Sequence, residues 1–304
     1  MSRIYQNTYS PIVNSSLVGG RLTLESGVAI SSTDQSAKTT LYYTPHIHSS
    51  IGLYNTTTLV WVPYTFTERS LALGTLSSGF NYDDFIYSTA GTLTLAASVW
   101  TSNTARATAI SLQDGVYVKT SDKSYRYLGT FRTTTTTTTE DSEAKRFVYN
   151  ANNQVPRSML GTLGYADDNA GQTFTHLGTL NVFSPLNGGT GNKCEWINGL
   201  TETVFLASSA FYAIGSSPTS LIVGVGIDTT TGASFIVAQN DLAGSNIFSR
   251  GNSKSVIFTA GYHYSSLNAY TATASNSSTF YKDDARSGGT VDPLRTFISG
   301  SINS

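Results

Sequence analysis

Charge is scarce in this chain. Asp, Glu, Lys and Arg make up 12% of its 304 residues, about half the usual share. The formal net charge is −1, which leaves no electrostatic footprint for nucleic acid or an anionic membrane surface. Cysteine is scarcer still. Cys194 stands alone, so an intrachain disulfide framework is excluded, and stability has to come from the core and from subunit association. No apolar run approaches the roughly 18 residues of a membrane span, so membrane insertion is not expected. The opening MSRIYQNTYSPIVNSS lacks an apolar signal-peptide core, so export by that route is not expected either. Heptads, collagen triplets and the short β repeats of a long shaft are also missing.

Hydroxyl and amide groups fill the gap. Ser, Thr, Gly and Asn are abundant and Tyr occurs 18 times. Disordered chains combine low hydrophobicity with high net charge. Here 39% of residues are hydrophobic and 12% aromatic, so a folded core is expected. Strand patterns recur at close spacing. Arg21–Leu24 and Leu41–Thr44 come first, and Ile51–Tyr54 with Leu59–Val62 flank Asn55–Thr58 as a hairpin. From Val60 the alternation puts Val60, Val62, Tyr64 and Phe66 on one face, and Pro63 marks an edge strand. Thr92–Trp100 is amphipathic, with Leu93, Leu95, Ala97 and Val99 directed at a core. Ala105–Ile110 is the one place where a helical turn fits. Asp114-Gly115 signals a tight hairpin. In Ser124–Arg132, Tyr125, Tyr127 and Phe131 fall on one side and Arg126 and Arg132 on the other.

The stretch Gly115–Ser158 divides the chain. It includes seven consecutive threonines, Thr133–Thr139, whose β-branching favours extended backbone but which offer no apolar face. The tract therefore belongs on a rim strand or in a loop. Beyond Pro156 the apolar runs become more continuous. Thr203–Ala207, Leu221–Ile227, Ser234–Ala238 and Ser255–Thr259 read as strands buried on both faces. The expected fold is all-β, with two β-sandwich or barrel-like domains of short strands and long loops. Residues 1–20 form an extended arm, 21–155 the first β domain and 156–304 the second.

Candidate chemistry is thin. His46 and His48 lie on one side of an extended segment, and three such pairs around a threefold axis would enclose one metal. No Cys or carboxylate lies close by in sequence to complete a site within one chain, and an ordinary surface turn after Pro45 is the favoured reading of the pair. The pairs Asp83-Asp84, Asp167-Asp168 and Asp283-Asp284 match glycosidase carboxylates or calcium ligands in type, yet each sits where a turn is expected. There is no Gly-x-Ser-x-Gly elbow, and Gly188–Gly191 lacks the Lys-Ser/Thr of a phosphate loop. His176 and His263 read as structural, and Cys194 as a small buried hydrophobe. No cofactor is implied. Aromatic stacking on sugar rings is the better-supported chemistry, with Trp100 as the exposed candidate for glycan contact and Trp61 beside it.

Longer phrases carry a resemblance. TTLYYTPH (39–46), IGLYNTTTLVWVPYTFTERSLAL (51–73), the run from NYDDFIYSTAG through YLGTFRTT (81–134) and AKRFVYNANNQVPR (144–157) resemble a structural protein of tailed bacteriophages and related prophages. The likeness covers about residues 22–158. LIVGVGIDTTTGAS (221–234) and the closing TFYKDDARSGGTVDPLRTFISGS (279–301) are similar in layout. The resemblance implies a non-enzymatic virion component made in the host cytoplasm and displayed on the particle exterior. A tail-fibre or host-adhesion protein comes first, and a capsid decoration protein is the alternative. A polysaccharide-degrading tail enzyme ranks third. Other virion proteins and a host surface glycan are the partners this implies, with a homotrimer expected by analogy to phage fibres. The family supplies no catalytic residues.

Overall fold

The computed structural model describes residues 14–162, 172–175, 183–186, 192–214, 221–240, 247–271, 277–280 and 296–304. The fold is all-β. After a 3-10 turn at Asn14–Ser16 come β1 (Gly20–Thr23), β2 (Gln35–Lys38), β3 (Thr40–Pro45), β4 (Ser50–Asn55) and β5 (Val60–Thr65). Then follow β6 (Arg69–Ala72), β7 (Asn81–Thr89), β8 (Thr92–Val99), β9 (Ile110–Gln113), β10 (Val116–Lys119) and β11 (Asp122–Arg132). The short strands β12 (Thr139–Asp141), β13 (Lys145–Arg146) and β14 (Val148–Asn150) lead to β15 (Pro156–Thr162). Next are β16 (Gln172–Thr175), β17 (Ser184–Pro185), β18 (Lys193–Asn198), β19 (Glu202–Ile214) and β20 (Leu221–Ile227). The chain closes with β21 (Phe235–Asn240), β22 (Ile247–Phe258), β23 (Gly261–Thr271), β24 (Ser277–Phe280) and β25 (Phe297–Asn303).

There are two compact units, both discontinuous in sequence. The first takes the chain up to Ser32, Lys38–Thr138 and Asn150–Asn153, and the second takes Thr33–Ala37, Thr139–Tyr149 and Gln154 onward. The chain passes between them inside the threonine tract. Thr134–Thr137 form a bend in which Thr134 and Thr135 hydroxyls meet that of Thr138 at 2.9 and 2.7 Å, while the tract's ends, Thr133 and Thr139, are buried.

In the first unit β1-β3-β6 form one sheet, β8-β7-β11-β10-β9 a second, and β4-β5 the expected hairpin. Pro63 sits opposite Gly52 on β5, whose other edge is unpaired among the described residues, so its missing N–H costs nothing. Asp114 and Gly115 both have positive φ, 50° and 81°, which is the backbone of a tight hairpin turn between β9 and β10. On β7 the pleat separates Tyr82, Asp84 and Ile86 from Asp83, Phe85 and Tyr87. β11 pairs with it in register from Arg126↔Ile86 to Tyr127↔Phe85, and then Gly129, not Leu128, meets Asp84. This bulge at Leu128 reverses the alternation. Phe131 therefore stacks on Tyr82, across the sheet from Tyr125 and Tyr127, where strict alternation placed all three together.

In the second unit one sheet runs β2-β12-β13-β18-β23-β20-β21, with a parallel pairing at β13–β18, and the other runs β15-β25-β19-β24-β16 with β22 on β19. Val204, Leu206 and Ile298 from one sheet share a core with Trp196, Val223 and Leu267 from the other. Of the strands expected to be buried on both faces, β20 comes nearest, every residue buried or half-buried with the 229–235 turn against Gly224 and Gly226, while β19 and β22 are covered on one face only. β19 alternates, with Val204 and Leu206 sealed and Phe205 44% exposed, and on β22 Ile257 is 72% exposed. Antiparallel strands in a two-layer packing have only one inner face. Nor is Ala105–Ile110 helical. The segment is irregular because Arg106 pairs back to Trp100 in a single antiparallel bridge.

Candidate functional site

The Asp83-Asp84 pair is not at a turn. It lies in the middle of β7, both residues 1% exposed or less, one on each face of the sheet. Asp83 is fully engaged. Its carboxylate accepts from Arg106 Nε at 2.7 Å and from Thr130 Oγ1 at 2.7 Å, and the Tyr127 and Thr130 hydroxyls lie 2.6 Å apart. The bulge at Leu128 makes this possible by putting Tyr127 and Thr130 on the same face. Burial pushes Asp83 upward in pKa against the pull of Arg106 and Thr130, and burial raises Tyr127 well above the ordinary phenol. The Arg106 guanidinium, in turn, lies 4.4 Å over the Trp100 ring.

That arrangement corrects the reading of Trp100. Expected at the surface for glycan contact, it is 2% exposed, because the 101–106 segment folds back and lays Arg106 over it. Trp61 is likewise only 8% exposed. It packs on Tyr54 and Val118, and its Nε1–H donates to Asp114 at 3.0 Å. Hairpin β4–β5 turns the Trp61 side inward and leaves Val60, which strict alternation set on the Phe66 face, 53% exposed.

On the opposite face of β7, neither oxygen of Asp84 has a hydrogen-bond partner among the described residues. Burial, followed by the neighbouring Asp83 charge, holds its carboxyl well above the usual range. Arg126, 2% exposed on the same face, donates from Nη1 to the carbonyls of Ser15, Leu17 and Gly52 at 2.9–3.0 Å and is pulled down to about 10 by burial. Asp83 and Asp84 are thus sealed structural groups, out of reach of a polymer substrate.

The metal and catalytic candidates stay apart. His46 is exposed, and His48 accepts from the Ser50 N–H through Nδ1. Among the described residues no group of three or more His, Cys, Asp or Glu could hold a metal. His263 is 6% exposed, with Nδ1 2.8 Å from Asp228 and Nε2 3.0 Å from the Thr259 carbonyl, so its two ring nitrogens tie two turns together. Cys194 is buried in the second core and pushed up to about 12 by burial. His176, Asp167-Asp168, Asp283-Asp284 and Gly188–Gly191 lie outside the described residues.

Accessible aromatic chemistry lies elsewhere. Tyr87 and Tyr125 stack face to face at 4.3 Å on the Asp83 side of the sheet, half-buried, with Lys119 Nζ 5.0 Å from the Tyr125 ring. Near the same end of the sheet, hairpin β4–β5 borders a polar cleft lined by Tyr54, Asn55, Tyr64, Ser88 and Ser124 together with Leu53. The sequence offers all 18 tyrosines as stacking groups beside the tryptophans and does not single out this pair. The signal was present in the register, since a cross-strand Tyr pair on a half-exposed face is a stacking platform.

No protein-family model and no curated protein matches this chain. Similarity to solved structures is slight. An Eiger TNF from S. frugiperda aligns with 40% of this chain and 90% of its own, at 11% identity and a TM-score of 0.21. Dimeric latent PorU from Porphyromonas gingivalis aligns with 94% of this chain at 9% identity and a TM-score of 0.26, but with only 21% of its own length. The structure of infectious bursal disease virus Gt strain aligns with 91% of this chain and 78% of its own, at 11% identity and a TM-score of 0.25. Similarity at this level carries no argument about activity or partners.

Proposed function

We propose that this chain is a non-enzymatic structural component of a phage virion, a tail-fibre or host-adhesion protein that works as a homotrimer on the particle exterior. The observation that carries the adhesion reading is the Tyr87–Tyr125 platform, a half-exposed stacked pair on adjacent strands of a rigid sheet. The sequence resemblance over residues 22–158 supplies the virion context, and the sealing of Asp83 and Asp84 speaks against glycosidase chemistry at that pair. Adding purified chain to host cells before infection tests it. The expected result is dose-dependent loss of phage adsorption, weakened roughly tenfold by Tyr87→Ala with Tyr125→Ala, since paired aromatic anchors carry binding energy of that order. Undiminished adsorption at saturating protein would end this reading.

A capsid decoration protein is the second reading, favoured by the outer face of β15, β25, β19 and β22. There Leu160, Phe205 and Ile257 are exposed among small residues such as Ser158, Ser299, Ser301 and Ser255, a surface suited to packing on a neighbour. Hundreds of copies per particle would favour decoration, and a handful a fibre.

A further inference from the structure

The cleft beside hairpin β4–β5 has a volume of about 170 Å³ and a lining without a carboxylate, ammonium, guanidinium or imidazole: Leu53, Tyr54, Asn55, Tyr64, Ser88 and Ser124 form most of it. Register explains how the two serines come to it. The β7–β11 ladder pairs Arg126 with Ile86, and two residues further along each strand Ser124 and Ser88 follow on the same face, opposite the side where Tyr87 stacks on Tyr125. The hairpin supplies the other wall. The Asn55 side-chain oxygen caps its turn, accepting from the N–H groups of Thr57 and Thr58 at 2.9 Å each, which fixes the amide and leaves its NH2 to face away from the turn.

The polar atoms of this lining divide into committed and free. Ser124 Oγ donates to Asp122 at 2.7 Å. Among the described residues the hydroxyls of Tyr54, Tyr64 and Ser88 and the Asn55 amide nitrogen have no protein partner. A neutral cleft with free hydroxyl and amide groups around an aliphatic and aromatic floor is poorly matched to an ion, which would lose hydration and gain no counter-charge. It matches a ring that shows C–H groups on one face and hydroxyls at its edge. The size adds a limit, because drug-sized ligands need about 300 Å³ or more, so this cleft takes one ring and not a chain.

We propose that the cleft is a monosaccharide subsite, binding a single neutral pyranose ring of a host surface glycan. The biological occasion rests on the adhesion reading above, while the chemistry rests on the lining alone. Tyr54 and Tyr64 lend hydroxyls and ring edges, Ser88 and the Asn55 amide meet ring hydroxyls, and Leu53 lies under the C–H face. The contacts of a sugar thus fall on tyrosine, serine and asparagine, not on Trp61 or Trp100.

Saturation-transfer NMR on the full chain with millimolar D-glucose, D-galactose, L-rhamnose and N-acetyl-D-glucosamine tests this. Transfer to at least one sugar is expected, with affinity falling roughly tenfold in Tyr54→Phe/Tyr64→Phe, which keeps both rings and removes two hydrogen bonds. Ser88→Gln, which narrows the cleft from its rim, should give the same loss, and Leu112→Ser, at an exposed side chain outside the cleft, should give none. Transfer to none of the four sugars overturns the proposal, and so does transfer that survives in both cleft variants. The adsorption assay separates this from the broader reading. Sugar binding without competition for host cells leaves the subsite standing and removes the adhesion role. Competition that the cleft variants do not diminish, with no transfer to sugar, removes the subsite and keeps adhesion.

Discussion

Asp84 shows what burial does to a single carboxyl. With no hydrogen bond to either oxygen and no exposure, its charged form is disfavoured in the folded chain, so its folded pKa lies well above the unfolded value near 4. A raised acid binds more protons folded than unfolded. The stability it allows is therefore complete below about pH 4 and is lost as pH climbs toward the raised value. Asp84→Asn removes this dependence. Thermal unfolding from pH 4 to 9 should find the variant more stable than the parent at pH 8, with the gap closing at pH 4, and a gap independent of pH would refute the argument. Nothing in the sequence distinguished Asp84 from Asp83 or marked either as buried. Adjacent aspartates read as turn formers, and their fate was decided by which sheet face each side chain met. The same holds for Trp100, whose burial comes from the later Arg106 folding over it.

At the scale of elements, one residue sets the register of the second sheet of the first unit. The bulge at Leu128 puts Tyr127 and Thr130 side by side over Asp83 and sends Phe131 to Tyr82. Inserting one alanine between Gly129 and Thr130 shifts the pairing by one residue and turns Thr130 away from Tyr127. Urea unfolding should then show a loss of about 3 kcal/mol or more, because a buried carboxylate loses a donor and Phe131 is misdirected. Leu128→Val, which keeps the bulge, should cost only about 1 kcal/mol. Equal losses would mean that the side chain matters and the register does not. Hairpins were the most legible elements, since Asp114-Gly115 and the threonine-rich turn after Asn55 declare themselves locally. Bulges were not, because an extra residue in a strand has no signature until its partner strand is known.

Across the whole molecule, hydroxyl-rich surfaces enclose two ordinary apolar cores. Cys194 reports on the second. Buried and raised to about 12, its thiol should resist a disulfide reagent at pH 8 in the folded protein and react fully in denaturant, at a rate that follows opening of that unit. Rapid labelling under native conditions would show that this core is open. By itself the sequence determined the all-β class, the positions of many strands and turns, and the absence of a disulfide framework, because alternation, β-branching, turn residues and cysteine count are local properties. Only the tertiary structure decided which face of each strand was covered. It buried the tryptophans, closed off the acidic pair on β7, drew residues 33–37 and 139–149 into the second unit, and left tyrosines at the surface. The reason is physical: a strand has two faces of equal standing, and which one meets water depends on what packs there from elsewhere in the chain.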